Sequence, residues 1–568
     1  MRSVVAVLAL LLTLTACNRA QLDTLTEQQA TLQARLAELE TQVETVGDTL
    51  ASQTEGVESL QTLLGDLAPQ VDTLSETLVP PEGSPSLTEV LAGLESDLDQ
   101  LDARVTTLSR EAALREGTIP SDWPAAEALE FPEITLSPPE PTRVELSNGI
   151  VVYLLEDHSL PLIDGIAYLD VGSLYEPEDK VGLADLTAGV MRTGGAGGRS
   201  PDEIDEDLEF LAASVEVSSS GLLTSVSFSS LVDNVEEVLD IFADVIMRPD
   251  FDEERLEVAR GQALESVRRQ NDQPMRIASR EFFNRLAEGH PASFTPTEET
   301  LNAVTRRDLI DFHDRYFKPN ITYMALSGDF ETEAMVELLE EALGTWRARE
   351  VDFPELPPLN PHPEPKIYYV NKEVGQSIVL VGHPSVLAYT DAYNALDVAN
   401  GILGGEGFSS RITTEIRTKR GLAYSTGSAL TQGFEFPGYF YAFSVTRVER
   451  TGEVIERLLG EIRRLQEEGV SQEELDVQRN IILNRAVFRF SSPAAIARRA
   501  ARVELLELAP NYYETYIEQV QAITPESVQE VARSELRPDE MIVLVVGDKT
   551  QFDRPLSDFG EVVEIELE

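Results

Sequence analysis

Lys318-Pro319-Asn320 leads into Thr322-Tyr323-Met324-Ala325-Leu326-Ser327-Gly328-Asp329, and Arg537-Pro538-Asp539 leads into Met541-Ile542-Val543-Leu544-Val545-Val546-Gly547-Asp548. Each is a proline turn feeding an apolar run that closes at Gly-Asp, the pattern of a buried strand between turns. Pro319, Gly328 and Asp329 precede Pro538, Gly547 and Asp548 by a constant 219 positions. The same offset relates Ala303-Val304-Thr305 to Ala522-Ile523-Thr524, and Leu256, Val258 and Arg260 to Leu475, Val477 and Arg479. Three separated segments sharing one offset mark an internal duplication. Two homologous domains are therefore expected at 142–352 and 364–555. Residues 353–363 form the linker, within the proline-rich run Asp352–Pro365, and 556–568 form a C-terminal tail.

Inside each domain strand and helix patterns mix. Gly149-Ile150-Val151-Val152-Tyr153-Leu154-Leu155 reads as a turn and a strand. Val235, Val238, Leu239, Phe242 and Ile246 share one helical face. The expected class is α+β, with helices on one side of a mostly antiparallel sheet.

The residues before these domains read differently. Met1-Arg2 and the apolar stretch Val4–Leu14 precede Leu14-Thr15-Ala16-Cys17, and Cys17 is the chain's one cysteine. The apolar run is too short for a lasting transmembrane helix, and a lone cysteine excludes an intrachain disulfide and thiolate zinc sites. Leu14–Cys17 resembles the lipobox of bacterial lipoproteins, which implies a signal peptide over 1–16 and diacylglycerol on Cys17. Two or more acyl chains would hold the protein at a membrane. The expected location is the cell envelope, facing the periplasm or the exterior, and Asn18 hints at the outer membrane by resemblance to sorting patterns. Residues 22–78 keep two heptad registers, Leu22 to Leu78 and Leu25 to Leu74, broken only by Gln29 and Gln53. This is a coiled-coil pattern. A proline break at 80–85 and a second apolar series, Leu87 to Leu108, complete a stalk over 17–115. The stalk is compatible with a hairpin, with self-association, or with a helix packed on its own globular part. Proline-rich and acidic residues 116–141 read as a linker.

The formal charge of −55 and the absence of a basic block exclude nucleic acid as an expected partner. The acidity reads first as a solvated surface, and second as a funnel for basic substrates. Gly194-Gly195-Ala196-Gly197-Gly198 and Gly404–Gly407 lack the Gly-Lys-Ser/Thr ending of a phosphate loop, so no nucleotide site is expected.

Asp170-Val171-Gly172-Ser173-Leu174-Tyr175-Glu176 with Gly182-Leu183-Ala184 resembles the start of a pitrilysin/insulinase-type peptidase domain. Gly404-Gly405-Glu406-Gly407-Phe408-Ser409-Ser410-Arg411 with Arg417-Thr418-Lys419-Arg420-Gly421-Leu422-Ala423-Tyr424 is similar to the second domain of that family. The resemblance covers nearly everything after residue 142. Active members carry H-x-x-E-H directly after Gly-Leu-Ala, with a third ligand, a glutamate, about 76 residues later. Two histidines bind zinc and the glutamate activates its water. Here the window reads Asp185-Leu186-Thr187-Ala188-Gly189. Both histidine positions are lost, the base position is Ala188, and only Glu265 is kept. The five histidines, His158, His290, His313, His362 and His383, contain no pair within one helical turn. Alanine cannot take a proton. No metal is therefore expected in this chain. Asp185 with Glu265 holding a hard cation is the minor alternative, and Glu265 on a polar helix face is the plainer reading.

The resemblance also implies a role for Arg417 and Tyr424, the arginine–tyrosine pair that holds substrate backbone and developing negative charge. A local ion pair for Arg417 and a half-core tyrosine is the alternative. Two functions follow. One is a non-catalytic, substrate-binding subunit whose partner is an H-x-x-E-H chain carrying the zinc, the pair acting on peptides. The other is a catalytically dead structural or binding protein assembled through its coiled coil at the membrane. An independent peptidase with an unrecognised site is the least supported, because nothing places Ser, His and Asp as a triad.

Overall fold

The computed structural model describes residues 139–567 except Arg489. The signal-like residues 1–16, Cys17, the heptad stalk and linker residues 116–138 lie outside the described residues.

The first half runs β1 (Thr142–Glu145), β2 (Val151–Glu156), β3 (Leu162–Leu169), α1 (Leu183–Thr193), α2 (Pro201–Phe210), β4 (Ser214–Ser220), β5 (Leu223–Leu231), α3 (Val235–Met247), α4 (Glu253–Arg268), α5 (Pro274–Leu286), α6 (Glu298–Ala303), α7 (Arg306–Tyr316), β6 (Thr322–Gly328) and α8 (Thr332–Leu343). The second half runs β7 (Ile367–Asn371), β8 (Gln376–Pro384), α9 (Asp391–Asn400), β9 (Ala423–Leu430), β10 (Tyr439–Arg447), α10 (Thr451–Glu468), α11 (Gln472–Phe488), α12 (Pro493–Leu505), α13 (Tyr512–Ala522), α14 (Pro525–Glu535), β11 (Ile542–Gly547) and β12 (Val562–Glu564). Two π-helical stretches, Gly401–Gly405 and Thr413–Lys419, lie between α9 and β9.

Each half builds a six-stranded sheet, in the orders β1-β2-β6-β3-β5-β4 and β12-β7-β11-β8-β10-β9. Only β2–β6, β7–β11 and β7–β12 pair in parallel, so both sheets are mostly antiparallel. The duplication extends to local detail. Helices α5 and α12 begin 219 residues apart, as do α7 and α14. Thr305 caps α7 and Thr524 caps α14 with reciprocal hydrogen bonds to the third residue on, Asp308 and Ser527. Arg260 donates to the Leu301 carbonyl, and its counterpart Arg479 to the Ile523 carbonyl at 2.6 Å.

Side chains alternate across each sheet, as the strand repeat requires. Val152, Leu154, Ile163, Met324 and Leu326 face the helices of their own half, with α3 buried almost all round. Tyr153, Leu155, Tyr168, Tyr323 and Ala325 point the other way, against Ile496, Ala497 and Ala501 of α12. The second sheet mirrors this. Tyr369, Val379, Val381, Val543 and Val545 meet their own helices. Tyr368, Val370, Ile378, Leu380, Leu544 and Val546 meet Ile277, Ala278, Phe282 and Leu286 of α5. The expected one-sided helix layer is therefore completed by an exchange, in which each half lends one helix to the outer face of the other's sheet. Burial of Ile277, Phe282 and Leu286 stabilises the junction by about 1.5–3 kcal/mol each. Arg143 and Tyr153 add charged and phenolic bonds to Glu504 of α12 at 2.5–2.8 Å.

The linker carries no helix or strand over 351–366. Phe353 pins its start against Tyr175 and Tyr316 at ring separations of 4.8 and 5.6 Å. Residues 556–568, expected as a tail, supply edge strand β12, with Val562–Glu564 paired in register to Ile367–Tyr369. In the first half the edge position is filled instead by β1, a hairpin partner of β2. No described helix is long and apolar enough to cross a membrane.

Candidate functional site

Helix α1 is the element where the family's zinc ligands would stand. Gly182 turns the chain into it at φ 104°, a left-handed conformation that suits glycine. The carboxylate of Glu176 accepts the Gly182 and Ala184 amides at 2.7 Å each, binding donors that the first helical turn leaves open. Burial pushes Glu176 up to about 7, against the pull of those two amides. The sequence reading had no role for Glu176, although its place six residues before Gly182 was a usable signal. Leu183, Leu186, Val190 and Met191 fix the helix into the first core.

On that fixed helix the three degenerate positions differ in setting. Asp185 reaches solvent, yet protein crowds it closely enough to raise its carboxyl above the usual range. Ala188 is buried, and its methyl group offers no lone pair. Gly189 is half-buried, and a Cβ built there meets nothing within 4 Å. The ligand is missing while the room for one remains. Helix α4 packs against α1 and carries Glu265, exposed and bonded to Arg269 one turn on at 2.5 Å. Among the described residues no three His, Cys, Asp or Glu side chains form a set that could hold a metal ion. One lone carboxylate, a methyl group, a hydrogen and an arginine-paired glutamate do not fit zinc, so no chemical step is derived through it. The histidines are spent elsewhere. His313 bonds the Ile246 carbonyl at 2.9 Å and His383 bonds Pro384 and the Arg537 amide, both buried.

The second half holds the other candidate. After α9 the backbone widens into the π-turn Gly401–Gly405. A Cβ at Gly404 would come within 2.6 Å of the Ser428 amide nitrogen, so the close approach to β9 requires glycine. Thr413–Lys419 is also π-helical, an irregularity often found at functional sites. Ile416 and Leu422 anchor it in the core, and Gly421 at φ 59° turns the chain into β9. Arg417 is thereby held with its guanidinium carbon 4.1 Å from the Tyr424 ring centre and 4.5 Å from that of Phe408. Tyr424 is 80% and Phe408 69% exposed. Among the described residues no carboxylate pairs with Arg417, so the expected alternative of a local ion pair and a half-core tyrosine does not describe this site. The stack fixes the guanidinium plane and leaves its N–H edge for a ligand. Phe408 lay within the quoted motif, but only the fold shows it as the third member of the stack.

The profile described as "Insulinase (Peptidase family M16)" matches residues 166–292, and that described as "Peptidase M16 inactive domain" matches 303–482, together more than half of the chain. The chain belongs to the insulinase family. An uncharacterized zinc protease of Streptomyces coelicolor is 25% identical over 324 residues, which is 55% of this chain and 69% of that protein. One of Bacillus subtilis is 22% identical over 71% of this chain and 97% of its own length. Among solved structures, a peptidase M16 inactive domain from Pseudomonas fluorescens superposes with a TM-score of 0.65 at 24% identity, over 72% of this chain and 98% of that one. The periplasmic protease PqqL of Escherichia coli gives 0.62 at 15% identity, over 96% of this chain and 63% of that one. These likenesses support the insulinase fold. The α1 window of this insulinase homologue lacks the zinc donors, and its second half keeps the arginine–tyrosine pair.

Proposed function

We propose that this chain is the lipid-anchored, non-catalytic, substrate-binding subunit of a two-chain zinc peptidase acting on peptides in the cell envelope. One observation carries the reading. The helix expected to bind zinc offers no ligand set among the described residues, while Arg417 stands stacked between exposed Phe408 and Tyr424 with its donors uncommitted to any described carboxylate. In this arrangement the partner supplies zinc, water activation and the general base. Arg417 donates to the peptide carbonyl oxygen as negative charge grows on it, and the Tyr424 phenol donates alongside. Cys17 would carry the membrane anchor, and the heptads would space the two domains from the surface.

The test is peptide cleavage and bound zinc for the full mature chain, alone and mixed with an H-x-x-E-H family member from the same source. The chain alone should be inert. The mixture should cleave, with Arg417→Ala lowering kcat by about 10²-fold and Tyr424→Phe by about tenfold. Zinc-dependent cleavage by the chain alone, or a mixture indifferent to Arg417→Ala, would end this reading. The heptad pattern favours a second one, a catalytically dead binding protein assembled through its coiled coil. A chain that self-associates and never activates a partner would point there.

A further inference from the structure

Where the two halves meet, a cavity of about 540 Å³ opens between the end of β3 and the turn that follows α12. It shares no lining residue with the Arg417 stack. Three carboxylates reach it from separate places: Asp170 after β3, Glu435 in the β9–β10 loop, and Glu507 in the turn after α12. Burial, and then the charges of Glu435 and Glu507, raise Asp170 to about 6. None of the three has an ion-pair partner among the described residues. In so acidic a chain unpaired carboxylates alone would mean little.

A second observation is independent of charge. Asn394, only 7% exposed, lines the same cavity. Its amide nitrogen donates to Gln519, whereas its carbonyl oxygen Oδ1 is buried with no hydrogen-bond partner among the described residues. A buried acceptor left unmatched is unfavourable, and here it is one more acceptor in a cavity already furnished with anionic ones. Tyr389, half-exposed, and Tyr512, whose hydroxyl donates to the Ala388 carbonyl at 2.9 Å, add aromatic walls. The carboxylates form no set able to hold a metal ion. Acceptors beside aromatic rings suit an alkylammonium or a guanidinium, which brings several N–H donors and a charge that ring faces attract.

We propose that this cavity binds an organic cation, the ammonium or guanidinium group of a lysine or arginine side chain or of a free amine. Asp170, Glu435 and Glu507 supply the counter-charge, and Asn394 Oδ1 accepts one N–H. The ligand would touch both halves and so brace their junction. The site does not depend on a partner subunit or on the role of Arg417.

Isothermal titration calorimetry on the full chain tests this with four probes: Nα-acetyl-L-lysinamide, Nα-acetyl-L-argininamide, putrescine and the neutral Nα-acetyl-L-glutaminamide. A cationic probe should bind, with Glu435→Gln and Glu507→Gln each weakening it about tenfold, and the neutral amide should not. Both substitutions are at solvent-facing positions, and an unchanged melting temperature without ligand would confirm folding. Binding of the amino-acid amides would assign the site to peptide side chains, and binding of putrescine alone to free amines. No binding of any cationic probe, equal binding of the neutral amide, or affinity unmoved by both substitutions would overturn the proposal.

Discussion

The connection from β3 to β4 and the one from β8 to β9 occupy the same place in the two sheets, yet they have been used oppositely. The first holds the regular helix α1, a glycine-rich turn and the regular helix α2. The packing of α1 rests on Leu183, Leu186, Val190 and Met191 and its start on Glu176, and none of these needs a ligating group at 185, 188 or 189. The second is distorted into two π-helical stretches and presents an arginine between two exposed rings. The difference teaches that scaffold and chemistry separate cleanly in this fold. Asp185 is open to solvent and a side chain at 189 would meet no neighbour, whereas the residues that anchor the helix are buried in the core.

That separation can be tested by reversing it. Asp185→His together with Gly189→His places two imidazoles one turn apart on α1, which packs against the helix that carries Glu265, at positions open to solvent or free of neighbours. The variant should take up about one zinc per chain, measured by elemental analysis after dialysis, where the parent takes up none. Folding should not suffer, since a glycine leaves a helix interior. A folded variant without zinc would mean that α1 and α4 no longer hold the ligand geometry.

The exchanged helices sharpen the comparison next. Phe282 of α5 and Ala501 of α12 are equivalent at the 219 offset and both fully buried. Phe282 sits edge-on to Tyr441 at 6.0 Å, whereas Ala501 lets α12 lie close on its sheet. Phe282→Ala should destabilise the protein by about 3–5 kcal/mol in urea unfolding. Ala501→Phe should cost less, about 1–3 kcal/mol, through overpacking. Equal effects would show that the two junctions are packed alike after all.

His290 and His313 are buried in the first half and His383 in the second, and burial lowers His313 and His383 to about 4. In the unfolded chain each titrates near 6.5. As pH falls from about 6.5 to about 4, the unfolded state takes up protons that the folded state refuses, so stability falls across that window and is fully present above it. His313→Gln should flatten the acid side of the pH profile of the unfolding free energy, measured in urea, by about 3 kcal/mol. A slope unchanged by the substitution would place the titration elsewhere.

Much of this was legible in the sequence because it is local or exact in number. The helix expected around Val235–Ile246 spans Val235–Met247, and the strand after Gly149 begins at Val151 behind a glycine at φ 92°. Capping residues, proline turns and apolar periods are written in neighbouring residues, so they survive without knowledge of what packs on them. The edge strand at Val562–Glu564 was not legible, since three residues after a long run of turns carry no period, and only pairing to β7 makes them a strand.

The sequence by itself determined the duplication and the absence of both histidines and of a general base from the window 185–189. A constant offset needs no coordinates, and no fold can make alanine a base or glycine a ligand. The tertiary structure alone decided which helix covers which sheet, that Phe408 joins Arg417 and Tyr424, and that Asp170, Glu435, Glu507 and Asn394 surround one cavity. Those facts depend on residues brought together across up to several hundred positions. An amphipathic period tells which face of a helix is buried, but never against whom.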